Sequence, residues 1–208
     1  LPLHPHVVTV FTLLVGMASG WCAARGDYFG LAIGGVLFLA ASILDGVDGE
    51  IARAKLLQSK TGEWLDTVCD DLTNFVFILG LALGMSGRPF GTFWLTLGVV
   101  SLAVFAVTLA VMYRRLAGSG GQGTLLEFQE AVRRPGYRPG RVKAGLVALQ
   151  PLIKRDFYGH AFMLCSVLDL PEVVLAGWTT GAVLTLAFVI SERNTLLPRR
   201  RAAGSEGG

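Results

Sequence analysis

The sequence predicts an all-α polytopic membrane protein, a bundle of six transmembrane helices with both termini on the cytoplasmic side. Three observations predict it: an apolar composition, recurring apolar segments of spanning length, and a one-sided distribution of cations. Of the 208 residues, 52% are hydrophobic and only 16% are charged, and the mean hydropathy is +0.57. Such a composition excludes an ordinary soluble domain.

The predicted spans follow from length, because a helix needs about 20 apolar residues to cross a bilayer. They are 7–24, 28–47, 63–85, 91–112, 157–173 and 174–192. The borders carry residues that break helices, at Arg25-Gly26-Asp27, Ser86-Gly87-Arg88-Pro89 and Leu170-Pro171. The fifth span is the shortest of the six.

The cations predict the orientation. If the segment 44–74 faces the cytoplasm, 16 of the 18 Lys and Arg residues lie on that side. Only Arg25 and Arg88 fall on the other side. This bias fits the positive-inside rule, and it predicts a cytoplasmic (inner) membrane protein whose site faces the cytoplasm.

The chain divides into a membrane domain, 1–193, and a basic tail, 194–208, whose composition predicts disorder. The connection 117–140 is rich in Gly, Arg and Pro, and its cations are expected to bind acidic membrane lipid rather than nucleic acid. The sequence begins at Leu1 without Met, so we expect a fragment or processed chain from which an upstream segment is missing.

Glycine pairs spaced four apart lie within several spans. They are Gly16/Gly20, Gly30/Gly34, Gly80/Gly84 and Gly177/Gly181. Such pairs allow the backbones of membrane helices to approach closely. They therefore predict a compact bundle and favour a homodimer, although glycine is also common in membrane helices generally.

The segment from Leu44 to Asn74 places carboxylates against apolar sequence. On one helix, an arc of about 140° contains Asp45, Asp48, Gly49, Ala52 and Arg53. On the next helix, an arc of about 80° contains Gly62, Asp66 and Asp70. The connection is short, so the two helices are predicted to be antiparallel neighbours whose four carboxylates converge in one pocket.

Four carboxylates at membrane depth are costly and repel one another, so protons or cations must neutralise them. Arg53 alone cannot balance four. Ligation by oxygen alone favours Mg²⁺, Mn²⁺ or Ca²⁺ over zinc, and a pair of such cations is a common device in phosphoryl transfer. The small residues Gly49, Ala52 and Gly62 leave room beside the carboxylates for a flat base or a diphosphate.

The pattern Asp45-x2-Asp48-Gly49-x2-Ala52-Arg53-x8-Gly62-x3-Asp66-x3-Asp70 resembles, at every fixed position, the signature of the CDP-alcohol phosphatidyltransferase family. Eight fixed residues at fixed spacing make this a specific signal, and the six-span layout agrees with it. The resemblance implies a membrane enzyme that uses a CDP-linked donor. An acceptor hydroxyl attacks the β-phosphorus, a phosphodiester forms and CMP leaves.

The resemblance also implies roles for the motif residues. Two divalent cations, Mg²⁺ or Mn²⁺, would be held by Asp45, Asp48, Asp66 and Asp70. Asp70 would also be the catalytic base, although the sequence does not rank it above Asp66. The nucleotide contacts would come from Gly49, Ala52, Arg53 and Gly62.

Two further positions compare with the family less directly. The stretch "HPHVVT" resembles a family pattern, Pro-Asn-x-x-Thr, in which Thr9 contacts the nucleotide, but His6 stands where Asn is usual. Asp71 stands where several subgroups carry a basic residue. We expect Asp71 to bind an arginine or the acceptor, or to face water.

The stretches "SKTGEWLDT" and "KRDFY" resemble most the branch that contains di-myo-inositol phosphate phosphate synthase. That branch implies a CDP-polyol donor such as CDP-inositol, a polyol phosphate acceptor and often a cytidylyltransferase domain upstream. Lys154 and Arg155, predicted at the cytoplasmic start of span five, are candidates to bind the acceptor phosphate. The alternative for these two residues is a positive-inside anchor.

Three alternatives stay open at this stage. A phospholipid synthase would combine CDP-diacylglycerol with inositol phosphate, glycerol phosphate or another polar alcohol. An ion or proton transporter would also carry intramembrane aspartates, but here they cluster at one membrane face with no polar path to the other. A pseudoenzyme scaffold would be expected to lack motif positions, and none is missing.

Overall fold

The computed structural model describes residues 5–54, 60–118 and 155–191. All regular structure in these ranges is helical. The six helices are α1 (Pro5–Ala23), α2 (Tyr28–Ala54), α3 (Lys60–Met85), α4 (Gly91–Gly118), α5 (Arg155–Val167) and α6 (Pro171–Ser191). The predicted tail 194–208 and the connection 119–154 lie outside the described residues.

Three of these helices are long and apolar enough to cross a membrane. The apolar stretches within them are Tyr28–Val47, Trp64–Met85 and Gly91–Arg114. The apolar parts of α1, α5 and α6 are shorter, at 10–17 residues each. The all-α class is confirmed, whereas six complete spans and cytoplasmic termini stay predictions.

The turn between α1 and α2 forms where the sequence predicts a break. Gly26 has a φ of 73°, a left-handed conformation that glycine adopts without steric cost. Asp27 then caps α2, because its Oδ1 accepts a hydrogen bond from the Gly30 N–H at 3.1 Å. The cap fixes the start of α2 and hence the position of everything along it.

The turn between α5 and α6 corrects the predicted end of span five at residue 173. The Leu170 N–H donates to the Cys165 carbonyl at 2.8 Å, and the Asp169 N–H donates to that of Ser166 at 3.3 Å. With Asp169 at a φ of 54°, this is a Schellman motif. It ends α5 at Val167, and Pro171 opens α6 because the first helical position needs no N–H donor.

Helix α1 packs against both α2 and α3. Its contact with α3 is a backbone contact, since a Cβ built at Gly80 would overlap the carbonyl oxygen of Gly20. Of the predicted pairs, Gly20 and Gly80 face each other across this interface, and Gly84 lies against the backbone of Ala23 and Gly26. In contrast, a Cβ built at Gly181 on α6 meets no atom within 4 Å.

Contacts between helices show their relative directions. Gly16 lies opposite Thr73 and Gly20 lies opposite Gly80. Residue numbers thus rise in the same direction along both helices, so α1 and α3 are parallel. Because the helices alternate, the starts of α1, α3 and α5 and the ends of α2, α4 and α6 lie together. We call this the Asp-rich end, since it contains Asp45 and Asp70.

The opposite end carries the two cations that the sequence places there, and both are paired with acids. Arg25 lies 3.4 Å from Asp27, and Arg88 donates to Asp169 at 2.5 Å. The second pair joins the turn after α3 to the turn after α5. Arg25 and Arg88 thus each have an acidic partner within the protein, and the orientation in the membrane stays a prediction.

The contact of α1 with α3 generates a first prediction. Gly80→Ala is expected to destabilise the protein by about 1–3 kcal/mol, because the new methyl group must displace backbone rather than a flexible side chain. The measurement is the thermal unfolding midpoint of the detergent-solubilised protein. Gly181→Ala is the matched control, since the open space beside it accepts a methyl group. Equal midpoints for the two variants would contradict this account of the interface.

Candidate active site

A pair of stacked aromatic rings sets the register of the two helices that carry the aspartates. Phe38 on α2 and Phe77 on α3 stack at 4.4 Å between ring centroids and 23° between planes, and both are fully buried. Asp45 follows Phe38 by seven residues and Asp70 precedes Phe77 by seven. Seven residues return a helix to nearly the same face after a rise of about 10 Å. From the stack, helix geometry predicts that Asp45 and Asp70 lie at about the same level of the bundle.

Electrostatic interactions locate a third carboxylate in the same region. The carboxylates of Asp45 on α2 and Asp66 on α3 both lie close enough to the Cys69 thiol to act on it electrostatically. All three side chains are partly buried. Asp45 and Asp66 thus both lie in the region around Cys69, and α2 and α3 run antiparallel as predicted.

The remaining motif residues are described only by their backbone. Asp48, Gly49, Ala52 and Arg53 lie on the last turns of α2, and Gly62 lies on the first turn of α3. Their side chains are not among those that the structure describes, so their predicted metal and nucleotide contacts stay predictions.

The donor set suits the predicted hard cations, because Asp45, Asp66 and Asp70 offer only carboxylate oxygens. Among the described side chains, no group of three or more His, Cys, Asp or Glu residues comes close enough to hold a metal ion. The predicted fourth ligand, Asp48, is not one of those side chains. The metal site therefore stays a prediction whose chemistry the donor atoms fit.

Thr9 on α1 lies at about the same level of the bundle as Asp66 on α3. On the parallel helices α1 and α3, Gly16 lies against Thr73, and Thr9 and Asp66 each come two turns earlier. Thr9 is buried. Its proposed contact with the nucleotide stays a prediction, and the side chain of His6 is not described.

Asp71 differs from the expectation of a bound arginine, the acceptor or water. Its Oδ2 accepts a hydrogen bond of 2.5 Å from the Tyr113 hydroxyl, near the end of α4. Asp71 lies about 100° around α3 from Asp70, so it points away from the carboxylate face and toward α4. It ties α4 to α3 beside the candidate site, a contact that sequence spacing alone does not show.

Two polar residues that the sequence analysis did not single out lie one turn deeper than the aspartates. The Tyr158 hydroxyl on α5 donates to the Asn74 Oδ1 on α3 at 3.2 Å. Asn74 follows Asp70 by four residues in an apolar run. The sequence did contain a signal for Asn74: a polar amide within an apolar run, on the same helix face as Asp66 and Asp70.

The predicted acceptor-phosphate residues belong to the start of α5. Arg155 is the first residue of that helix, and the alternation of helix directions puts it at the Asp-rich end. Its side chain is not described, and Lys154 lies outside the described residues. Phosphate binding by these two residues stays a prediction.

Comparison with known proteins bears on the motif directly. A sequence model of the family described as CDP-alcohol phosphatidyltransferase matches residues 2–168. The match covers most of the chain and includes the whole Asp-rich segment. The resemblance predicted from the motif is therefore confirmed, and with it the phosphotransferase type of enzyme.

Three relatives carry related names. A protein of Aquifex aeolicus named bifunctional IPC transferase and DIPP synthase is 46% identical over 79 residues, or 38% of this chain and 18% of that protein. One of the same name from Archaeoglobus fulgidus is 28% identical over 175 residues, or 83% of this chain and 33% of that protein. The archaetidylinositol phosphate synthase of Pyrococcus horikoshii is 33% identical over 122 residues, or 58% of this chain and 60% of that protein.

The relatives confirm the predicted similarity to the DIPP synthase branch. The matched region is between 18% and 33% of the length of these two bifunctional proteins. The chain thus spans a third or less of them.

The contact between Asp71 and Tyr113 generates a second prediction. Tyr113→Phe is expected to lower the free energy of unfolding by about 1–3 kcal/mol, because it leaves a partly buried carboxylate without its donor. The measurement is stability of the solubilised variant against denaturant or heat. Tyr28→Phe is the matched control, since Tyr28 donates to the Val167 carbonyl at an exposed position. A loss no larger than that of Tyr28→Phe would show that the bond contributes little.

Proposed function

Because the chain belongs to the CDP-alcohol phosphatidyltransferase family, we propose that it catalyses transfer of a phospho-alcohol group from a CDP-linked donor to an acceptor hydroxyl. The observation that carries the proposal is the stacking of Phe38 on Phe77, seven residues from Asp45 on one helix and from Asp70 on the other. Helix geometry from this contact supports a site in which the two halves of the family motif come together. The reaction site is the Asp-rich end of the bundle.

In the proposed topology all six helices cross a cytoplasmic membrane, with both termini and the Asp-rich end on the cytoplasmic side. The distribution of cations along the sequence supports this arrangement, because 16 of the 18 Lys and Arg residues fall on the predicted cytoplasmic side. Water-soluble nucleotide and polyol phosphates would then reach the aspartates directly. Residues 1–193 form the membrane domain of this proposal.

The reaction balances as a substitution at phosphorus. The acceptor oxygen forms a bond to the β-phosphorus of the donor, and the bond from that phosphorus to the oxygen bridging the two phosphates breaks. CMP leaves with the bridging oxygen, and a phosphodiester remains. Asp70 accepts the proton of the acceptor hydroxyl, which makes the oxygen a better nucleophile.

The other motif residues bind and orient the donor. Asp45, Asp48, Asp66 and Asp70 are the proposed ligands of two Mg²⁺ or Mn²⁺ ions, which when bound would neutralise the diphosphate and polarise the phosphorus. Arg53 would pair with the diphosphate, and Thr9 would contact the nucleotide from α1. Gly49, Ala52 and Gly62 would leave space for it.

The proposed substrates follow the DIPP synthase branch. The donor is a CDP-polyol such as CDP-inositol, and the acceptor is a polyol phosphate. The similarity to two bifunctional proteins named IPC transferase and DIPP synthase supports this choice. It also supports a cytidylyltransferase that supplies the donor, either as an upstream domain or as a partner protein. The proposed assembly is a homodimer.

A second candidate function is synthesis of a phospholipid precursor from a CDP-linked lipid and a polyol phosphate. It is favoured by the 33% identity to a protein named archaetidylinositol phosphate synthase. Both candidates share the reaction and differ in the donor. Release of CMP from CDP-inositol compared with CDP-diacylglycerol, at equal concentration and with inositol phosphate as acceptor, separates them.

The role of Asp70 is tested by Asp70→Asn. We expect turnover to fall by orders of magnitude, because the base and a proposed metal ligand are lost together while the shape is kept. The measurement is acceptor-dependent release of CMP by purified protein with Mg²⁺ or Mn²⁺. Asp27→Asn, at the opposite end of the bundle, is the matched control and should retain activity. Near-normal turnover of Asp70→Asn would remove Asp70 from the chemistry.

The acceptor phosphate is tested by replacing Lys154 and Arg155 together with Gln. The Michaelis constant for a polyol phosphate should rise about tenfold or more, the effect of losing a charge-assisted contact, while that for the CDP-linked donor changes little. The matched control replaces Arg25 and Arg88 with Gln, which removes two cations from the opposite end. If the Michaelis constant for the polyol phosphate were equal in the wild type and the Lys154/Arg155 variant, these residues would not bind the acceptor, and the membrane-anchor interpretation would hold.

A further inference from the structure

Uncharged polar groups from three helices meet one turn inside the Asp-rich end. The Tyr158 hydroxyl on α5 donates to the Asn74 Oδ1 on α3 at 3.2 Å. Ser42 on α2 lies at the same level, since a Cβ built at Gly159 would be 3.7 Å from its Oγ. We call Ser42, Asn74 and Tyr158 the neutral polar layer. It lies in the region between the aspartates and the aromatic stack.

Helix geometry aims the two hydrogen-bonded members of this layer toward the aspartates. Side chains on a helix lean toward its N-terminus, and α3 and α5 both start at the Asp-rich end. Asn74 therefore leans toward Asp70, one turn earlier on the same face. On the inner side, the rings of Phe38, Phe77 and Phe162 lie within 6.4 Å of one another between centroids and close the region off.

The Asn74 amide carries hydrogen-bonding capacity that the described residues do not use. Its side chain is only 6% exposed, and its hydrogen bond within the described part of the chain involves Oδ1 alone. The described residues provide no acceptor for Nδ2. It is not one of the fully buried polar atoms that lack a partner in the described part of the chain, which are Thr12 Oγ1, Ser166 Oγ and Trp178 Nε1. Nδ2 is therefore still accessible, and it can donate hydrogen bonds to the oxygen acceptors of a ligand.

The chemistry of the layer selects the class of ligand. An amide, a phenol and an aliphatic hydroxyl can each donate and accept hydrogen bonds, which matches the hydroxyl groups of a ligand, whereas ionised phosphate and carboxylate oxygens only accept. Asn can donate to a hydroxyl oxygen, and the ring packing of Tyr158 against Phe162, at 5.4 Å between centroids, holds its hydroxyl in place. The match is to a polyol with several adjacent hydroxyls.

We propose that Asn74 and Tyr158 bind hydroxyls of the acceptor polyol next to the one that attacks the donor, and so determine which alcohol is used. The inference rests on the proposed phosphotransferase function. Asn74 is adjacent to Asp70, the proposed base, which favours the acceptor over the donor alcohol. Arg155 precedes Tyr158 by three residues on α5, so its backbone lies about one turn, or roughly 5 Å, nearer the start of that helix.

The first test compares steady-state constants for Asn74→Leu, Tyr158→Phe and wild type, with inositol phosphate as acceptor and CDP-inositol as donor. Loss of one neutral hydrogen bond should lower kcat/KM for the acceptor about two- to tenfold in each variant. The kcat/KM for the CDP-inositol donor should be unchanged. A loss confined to the donor would overturn the assignment to the acceptor.

The second test pairs each enzyme with deoxy analogues of inositol phosphate that lack one hydroxyl at a time. In wild type, removing the hydroxyl that Asn74 binds should lower kcat/KM, whereas in Asn74→Leu the same analogue and the parent should react equally well. If the role of Asn74 were purely structural, the Asn74→Leu variant would have a kcat/KM lowered by the same factor for every acceptor. That pattern would overturn the proposal.

Thr108→Val is the matched control for removing a buried polar group. Its hydroxyl is buried on α4 and donates to the Val104 carbonyl of its own helix at 2.8 Å, away from the neutral polar layer. Thermal unfolding of each variant shows whether it folds. Tyr158→Phe, which keeps the ring, still tests the proposal if Asn74→Leu does not fold.

Direct binding separates failure of this inference from failure of the proposed function. Inositol phosphate is titrated into the solubilised wild type and Asn74→Leu without donor. If wild type releases no CMP but binds inositol phosphate more tightly than the variant, the reaction assignment is wrong and the polyol site stands. Equal binding, or no binding to wild type, would overturn the polyol site.

Discussion

The stacking of Phe38 on Phe77 is the contact on which the candidate site depends. It lies two turns from Asp45 on one helix and from Asp70 on the other. A slip of α2 against α3 by one residue would rotate one carboxylate away by about 100°. Two large buried rings resist such a slip because interiors are close-packed, and a displaced ring would leave a void. The apolar interior thus fixes the spacing of the charged groups.

Charged groups lie at both ends of the bundle. At the opposite end, Arg88 pairs with Asp169 and Arg25 lies beside Asp27, so acids and bases compensate each other within the protein. At the Asp-rich end, Asp45 and Asp66 approach the same thiol. Carboxylates held near one another carry an electrostatic cost. The cations proposed for this end would offset that cost when bound.

The first turns of α3 face three different environments. Asp66 and Asp70 belong to the face that meets α2, Asp71 bonds to Tyr113 of α4, and Asn74 bonds to Tyr158 of α5. Each bond crosses to a different helix, so together they oppose both rotation and translation of α3. The backbone contact of Gly80 with Gly20 adds a fourth constraint from α1. Asp71, Tyr113, Gly20 and Gly80 touch no substrate in the proposal, and they thereby help to position residues that do.

The sequence by itself determined the helical class, the helix borders at Arg25–Asp27 and Ser86–Pro89, and the family. These depend on local chemistry: apolar length, turn residues and a motif of fixed spacing. The tertiary structure decided what depends on distant neighbours. It ended α5 at Val167, because Asp169 adopts a left-handed conformation and closes a Schellman motif. It also paired Asp71 with Tyr113, 42 residues away, and Asn74 with Tyr158, 84 residues away. Periodicity shows which face of a helix a residue occupies, but only packing shows which helix lies opposite that face.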